Sequence, residues 1–207
     1  MDGLVVFCAD VGSVKARNFG WARTEQQPDT VVEYDSSSPV HLADAVVDEL
    51  QAGRPVALGF ECPLFVPVPA AVASLGAGRV GEGNRPWSAG AGTGALATGL
   101  VQAAWVLAAI RTRCPDDALH LEWPAFSTQA RGLLLWEAFV SATAKGNTHV
   151  DDATIAVAAF SSALPDPASA SAISAERPLS LAGAVALWSG WLDNPLALHQ
   201  SPLVIRA

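Results

Sequence analysis

Two apolar runs in this chain each stop on a single carboxylate: "LVVFCAD" ends at Asp10, and "PVALGF" is followed directly by Glu61. A continuous apolar run of this length, bounded by turn residues, is the pattern of a strand covered on both faces. An acid placed directly after such a run must find a partner, because an unpaired buried charge is costly. The pair restricts the chain to a sheet whose central strands end on a polar edge. That is the arrangement of α/β folds, in which ligands sit where strand ends converge.

The rest of the chain supplies the other elements. "NFGWART" and "TVVEYDS" read as two further strands that join the first in a meander. Ser38 and Pro39 stand as N-cap and first-turn residues of a helix over 41–51, with Leu42, Val46 and Leu50 on one face and Gly53 beyond its end. Residues 63–94 form a long irregular stretch, which in a compact domain is usually functional or partly ordered as short helices. The spacing then predicts a helix over 95–112 buried nearly all round, a strand over 118–124, a helical region over 128–145, and a last helix opening at His149. The expected architecture is an α/β fold with a mixed five-stranded sheet, an antiparallel three-strand meander plus parallel strands, and helices on both faces. Residues 1–164 make the core, 165–178 a Pro/Ser/Ala linker or loop, and 179–207 a C-terminal helix and strand packed back on that core.

Composition narrows the function classes. With 207 residues and 51% hydrophobic content, one sizeable core is affordable. The net charge is −8 and no Lys/Arg cluster occurs, so no cationic stripe for long duplex DNA is visible. Bound divalent ions offset carboxylates locally, and a nucleic-acid partner therefore stays open. Cys8, Cys62 and Cys114 have neither zinc nor redox spacing, and the start "MDGLVVFCAD" has no basic region of a signal peptide. A reduced, cytoplasmic protein is the expectation. The densest apolar part of the longest uncharged run, Leu100 to Ile110, is too short to span a bilayer, so no membrane partner is expected. "GAGTGA" (Gly90 to Ala95) lacks the context of a dinucleotide loop, and neither a P-loop nor a nucleophile elbow occurs. Trp87, Trp105, Trp123, Trp136, Trp188 and Trp191 are expected in the core rather than as base-stacking platforms, with Trp87, beside Arg85 in the glycine-rich stretch, the one that could also stack on a base.

Acids recur where apolar elements end: Asp10, Glu61, Glu122 near the end of the third core strand, and Asp151 with Asp152 at the start of a helix. Converging carboxylates repel one another unless a cation joins them, and Mg²⁺ or Mn²⁺ is the ordinary partner of carboxylate oxygens. The candidate metal ligands are therefore Asp10, Glu61, Glu122, Asp151 and Asp152. Plainer roles exist for each: a helix-start acid caps the helix and complements its dipole, and Glu122 suits a solvated strand end.

"ADVGSVKARNFGWA", "ALGFECPL", "LEWPAFS" and "HVDDATIAVAAF" together resemble the ribonuclease H-like superfamily, and within it the domain-of-unknown-function family 429, described as predicted RNase H-like nucleases. The resemblance covers roughly residues 4 to 162. It implies a two-metal hydrolytic site cleaving phosphodiester bonds in DNA or RNA, with Asp10, Glu61, Asp151 and Asp152 as catalytic acids. Asp10 is similar to the first-strand aspartate of these sites, Glu61 to the acid ending the fourth strand, and Asp151 or Asp152 to the acid opening the last helix. This placement resembles Holliday junction resolvases more than ribonuclease H itself. The resolvases carry a second aspartate three residues further on; counted from Asp151, that position is Thr154. Lys15, Arg17 and Arg85 are candidate phosphate contacts, and His149 a candidate proton carrier. Two rivals use the same residues. "DVGS" also resembles the phosphate loop of actin-like and sugar kinases, which need two copies of the fold, so this chain would have to form a homodimer. A catalytically inactive binding protein that keeps the fold is the other.

Overall fold

The computed structural model describes residues 3–24, 31–34, 38–84, 86–140 and 144–207. Strands β1 (Val5–Asp10), β2 (Gly20–Thr24) and β3 (Val31–Tyr34) form the antiparallel meander. Helix α1 (Pro39–Gln51) leads to β4 (Pro55–Phe60), which pairs parallel to β1. After β5 (Phe65–Pro67), a 3-10 turn at Val72–Ser74 and α2 (Ala91–Arg113) come β6 (Leu119–His120), α3 (Trp123–Phe126) and β7 (Gly132–Phe139). The chain ends with α4 (His149–Ser162), β8 (Pro178–Ser180), α5 (Leu181–Trp188), a 3-10 turn at Pro195–His199, and β9 (Val204–Arg206). The main sheet has seven strands in the order β3-β2-β1-β4-β7-β6, with β9 also pairing with β7; β5 and β8 form a separate two-stranded sheet.

Alternation along the strands divides the core in two. Val5, Phe7, Ala9, Val56, Leu58, Leu133 and Leu135 face α1, α2 and α5. Val6, Cys8, Ala57, Leu134 and Trp136 face α3 and α4. The α/β class and mixed sheet match expectation, as do the acid-terminated strands. The strand count does not, since β6 and β9 flank successive parts of β7 and extend the sheet beyond five.

Four further expectations fail. The described residues of 128–145 are not helical: their apolar segment is β7, a central strand buried on both faces. Its "GLLLWEAF" is leucine-rich and lacks β-branched residues, so local propensity pointed to helix while tertiary burial decided for strand. The strand expected over 118–124 shrinks to two residues, because the chain turns at Glu122 into α3, with Pro124 in its first turn. Helix α2 is longer than expected and is not buried all round; only Gly99, Ala103, Val106, Leu107 and Ile110 are. Among the described residues it is the one helix long and apolar enough to cross a membrane, yet its inner face packs on α1 and α5. Trp105 and Trp188, expected in the core, are 47% and 72% exposed. Cys8, Cys62 and Cys114 are all free and buried.

The stretch 63–94 is held by a buried ion network. Arg79 donates through Nη1 and Nη2 to both Glu137 oxygens, at 2.7 Å each, and through Nε and Nη2 to Glu82 Oε1 at 3.1 and 3.0 Å. Glu82 Oε2 accepts from the Arg79 amide, and Glu137 Oε2 from the Leu64 amide, both at 2.8 Å. The guanidinium lies over the Phe65 ring. Segment 165–178 also docks on the core, through the bridges Val80 to Ser174 and Ser171 to Ile205 and through buried Ile173. Arg79→Met would strand two buried carboxylates and should cost about 3–5 kcal/mol. Chemical denaturation should register that loss and its partial recovery on adding Glu137→Gln; a loss below ~1 kcal/mol would show that the network does not hold the loop.

Candidate metal centre

Parallel register sets the first two acids side by side. Ala9 is opposite Phe60, and the Glu61 amide donates to the Ala9 carbonyl at 2.8 Å, so β1 and β4 end together with Asp10 and Glu61 adjacent. Strand alternation turns Asp10 to the α4 side. The third acid arrives because the start of α4 lies directly on β2. Gly20, the partner of Asp10 across the meander, has no side chain to obstruct it: a Cβ there would come within 2.5 Å of the His149 carbonyl carbon and the Val150 nitrogen. Ligand oxygens of Asp10, Glu61 and Asp152 consequently lie within 4.8 Å of one another.

The two adjacent aspartates divide the work. Asp151 Oδ2 accepts from the Asn147 and Thr148 amides at 2.9 Å, and its own amide donates to Thr148 Oγ1, a reciprocal capping box. It is the cap. Asp152 is buried and joins the acids, with Oδ1 accepting from the Gly146 amide at 2.7 Å. His149, from the same first turn, places Nδ1 against Asp10 Oδ2.

Lys145, which has no motif in the sequence, is the cation among these acids. Its Nζ stands 2.8 Å from Asp152 Oδ2 and 3.0 Å from Glu61 Oε1. Burial works to lower the ammonium pKa, but the hydrogen bond to Asp152 and the charge of Glu61 outweigh it and hold Lys145 above its usual range. Burial pushes Asp10 up to about 6, against the pull of Lys145, and pushes Glu61 up to about 8, aided by the neighbouring Asp10 charge. Lys145 needs ionised partners, while the Asp10 charge opposes ionisation of Glu61 and a hydrogen bond with Glu61 favours the Asp10 carboxylate. The coherent metal-free state keeps the Lys145–Asp152 ion pair and one proton between Asp10 and Glu61. A divalent cation fits this donor set: all ligand atoms are carboxylate oxygens, and buried Glu61 Oε2 has no hydrogen-bond partner.

The other candidates lie elsewhere. Glu122 is exposed at the N-cap of α3, lines a separate cavity and accepts a hydrogen bond from Gln200 at 3.4 Å. Lys15 and Arg17 are exposed in the turn after β1 and do not line the triad's cavity. Arg85 falls outside the described residues, although Asn84 and Pro86 line that cavity. The "DVGS" turn is occupied by the protein itself: the Gly12 amide donates to Gln102 Oε1 at 3.3 Å, and Gln102 Nε2 returns a bond to the Gly12 carbonyl. A cavity of about 650 Å³ opens in front of Asp10 and Glu61. Comparison with protein-family models, with curated proteins and with solved structures found no match.

Two outcomes follow from this geometry. Asp152→Asn should abolish Mn²⁺ binding measured by calorimetry, whereas Asp151→Ala should cost about 1 kcal/mol of stability and leave binding intact; the reverse pattern would reassign the ligand. Glu61 is raised from 4.5 to about 8 on folding, so its contribution to stability is fully present below pH 4.5 and is lost as pH rises to about 8. With chelator present, melting temperature should fall across that window, and Glu61→Gln should flatten the fall; an unchanged slope would contradict the assignment.

Proposed function

We propose that the protein is a divalent-metal-dependent phosphodiesterase acting on nucleic acid, built on a ribonuclease H-like fold. The observation that carries this reading is the convergence of Asp10, Glu61 and Asp152, from two strand ends and a helix start, to within 4.8 Å. The fold-family part is supported by the run β3-β2-β1-β4-β7, in which an antiparallel meander is continued by two strands parallel to β1. Thus β7 takes the place of the fifth strand.

Asp10, Glu61 and Asp152 would hold Mg²⁺ or Mn²⁺. When bound, such an ion supplies hydroxide near neutral pH and stabilises the leaving oxygen. Water adds to phosphorus, the P–O bond to the leaving group breaks, and the products are a phosphate monoester and an alcohol. His149 is fixed on Asp10 through Nδ1, and its side chain is 40% exposed at the cavity wall, which leaves Nε2 to carry a proton. Lys145 also lines the cavity and offers a charge to a phosphate oxygen.

Purified protein with Mn²⁺ should hydrolyse bis(p-nitrophenyl) phosphate, and Asp10→Asn should reduce the rate at least a hundredfold without unfolding the chain. Equal rates in the two proteins would sink the assignment. Phosphoryl transfer from ATP to a sugar, without diester hydrolysis, would favour the kinase-like alternative instead.

A further inference from the structure

The cavity says more than the triad about what is cleaved. At about 650 Å³ it lies within the range, roughly 300–1,000 Å³, that small ligands fill, which is far less than a duplex footprint. Among its described lining residues Lys145 is the single lysine and arginine is absent, and the whole chain carries a net charge of −8. A duplex held by many phosphate contacts needs a cationic track, which the described residues of this wall do not form.

The wall instead offers an aromatic ring. Trp87 is half-buried beside the cavity and fixed at both ends: its amide donates to Glu82 Oε1 at 2.9 Å, and its indole nitrogen donates to the Ala77 carbonyl at 3.0 Å. Glu82 is itself clamped by the buried Arg79, so the ring is positioned before any ligand arrives. Next to it, Gly90 and Gly94 leave bare backbone, and a Cβ at either would meet nothing within 4 Å.

We propose that this cavity accepts one unpaired nucleotide, its base stacked on Trp87 and its phosphodiester at Asp10, Glu61 and Asp152, so that the substrate is single-stranded nucleic acid or a short oligonucleotide. The inference rests on the phosphodiesterase reading. Base stacking on an aromatic side chain contributes about 1–3 kcal/mol per base, roughly a 5- to 150-fold effect.

The test uses two probes. With Mn²⁺ present, Trp87→Ala should weaken AMP binding, measured by calorimetry, at least fivefold, while Trp87→Phe retains most of it. Gly94→Leu, a substitution on helix α2 that meets no neighbour, should weaken binding without lowering the melting temperature. A single-stranded oligonucleotide should be cleaved at least tenfold more efficiently than the same sequence as a duplex, and Trp87→Ala should raise its KM. Equal cleavage of duplex and single strand, or an unchanged KM and AMP affinity in Trp87→Ala, overturns the inference even if Asp10-dependent hydrolysis of bis(p-nitrophenyl) phosphate survives. AMP binding through Trp87 without any diester hydrolysis would overturn the phosphodiesterase reading and keep the nucleotide pocket.

Discussion

One guanidinium holds together the part of this molecule that has no regular structure of its own. Arg79 lies with its side chain fully enclosed between Glu137, at the end of central strand β7, and Glu82, in the long glycine-rich stretch. Burial pushes Glu137 up, and the Arg79 charge draws it back. One cation between two acids is tolerable only because the fork of donors is fully used, on both Glu137 oxygens, on Glu82 Oε1 and on the Phe65 carbonyl. The network fastens the loop to the same sheet edge at which Asp10 and Glu61 end. Through Glu82 the network also holds the Trp87 amide, whereas α2 is tied separately to the turn after Asp10 by Gln102.

The sequence made some of this visible and hid the rest for physical reasons. Acids that interrupt apolar runs carry their own signal, since burial and charge conflict at a single position; Asp10 and Glu61 were legible on that ground. The His149–Asp152 helix start was legible too, but not which aspartate turns inward, because a cap and a ligand use the same residue type one position apart. The geometry of Thr148 settles it. Strand β7 was misread because its leucines satisfy a helix as readily as a doubly covered strand. Glu137 went unnoticed with it. Lys145 and Arg79 were not legible: beyond their near partners Asp152 and Glu82, Glu61 and Glu137 lie 84 and 58 positions away, and only the topology brings these together. The exposed Trp105 and Trp188 show the converse, in that a large apolar side chain does not by itself dictate burial.

The two buried acid clusters differ in a way that separates scaffold from chemistry. Around Arg79 the cation is a planar guanidinium with an enclosed side chain, bonded on every side and satisfied in a fixed geometry. Around Lys145 the cation is a flexible ammonium whose side chain is 38% exposed, bound to one oxygen each of Glu61 and Asp152, while Glu61 Oε2 has no hydrogen-bond partner. A guanidinium leaving the first cluster would abandon two enclosed charges in an apolar interior. An ammonium leaving the second abandons a triad of which Asp10 and Glu61 border a cavity, and a small hard cation bound there would release the shared proton. The first cation is enclosed, and the second is partly open to solvent. A lysine in that position also limits which cations can enter, since the incoming ion must outcompete an ammonium already paired. A divalent charge would be better placed to do so than a monovalent one.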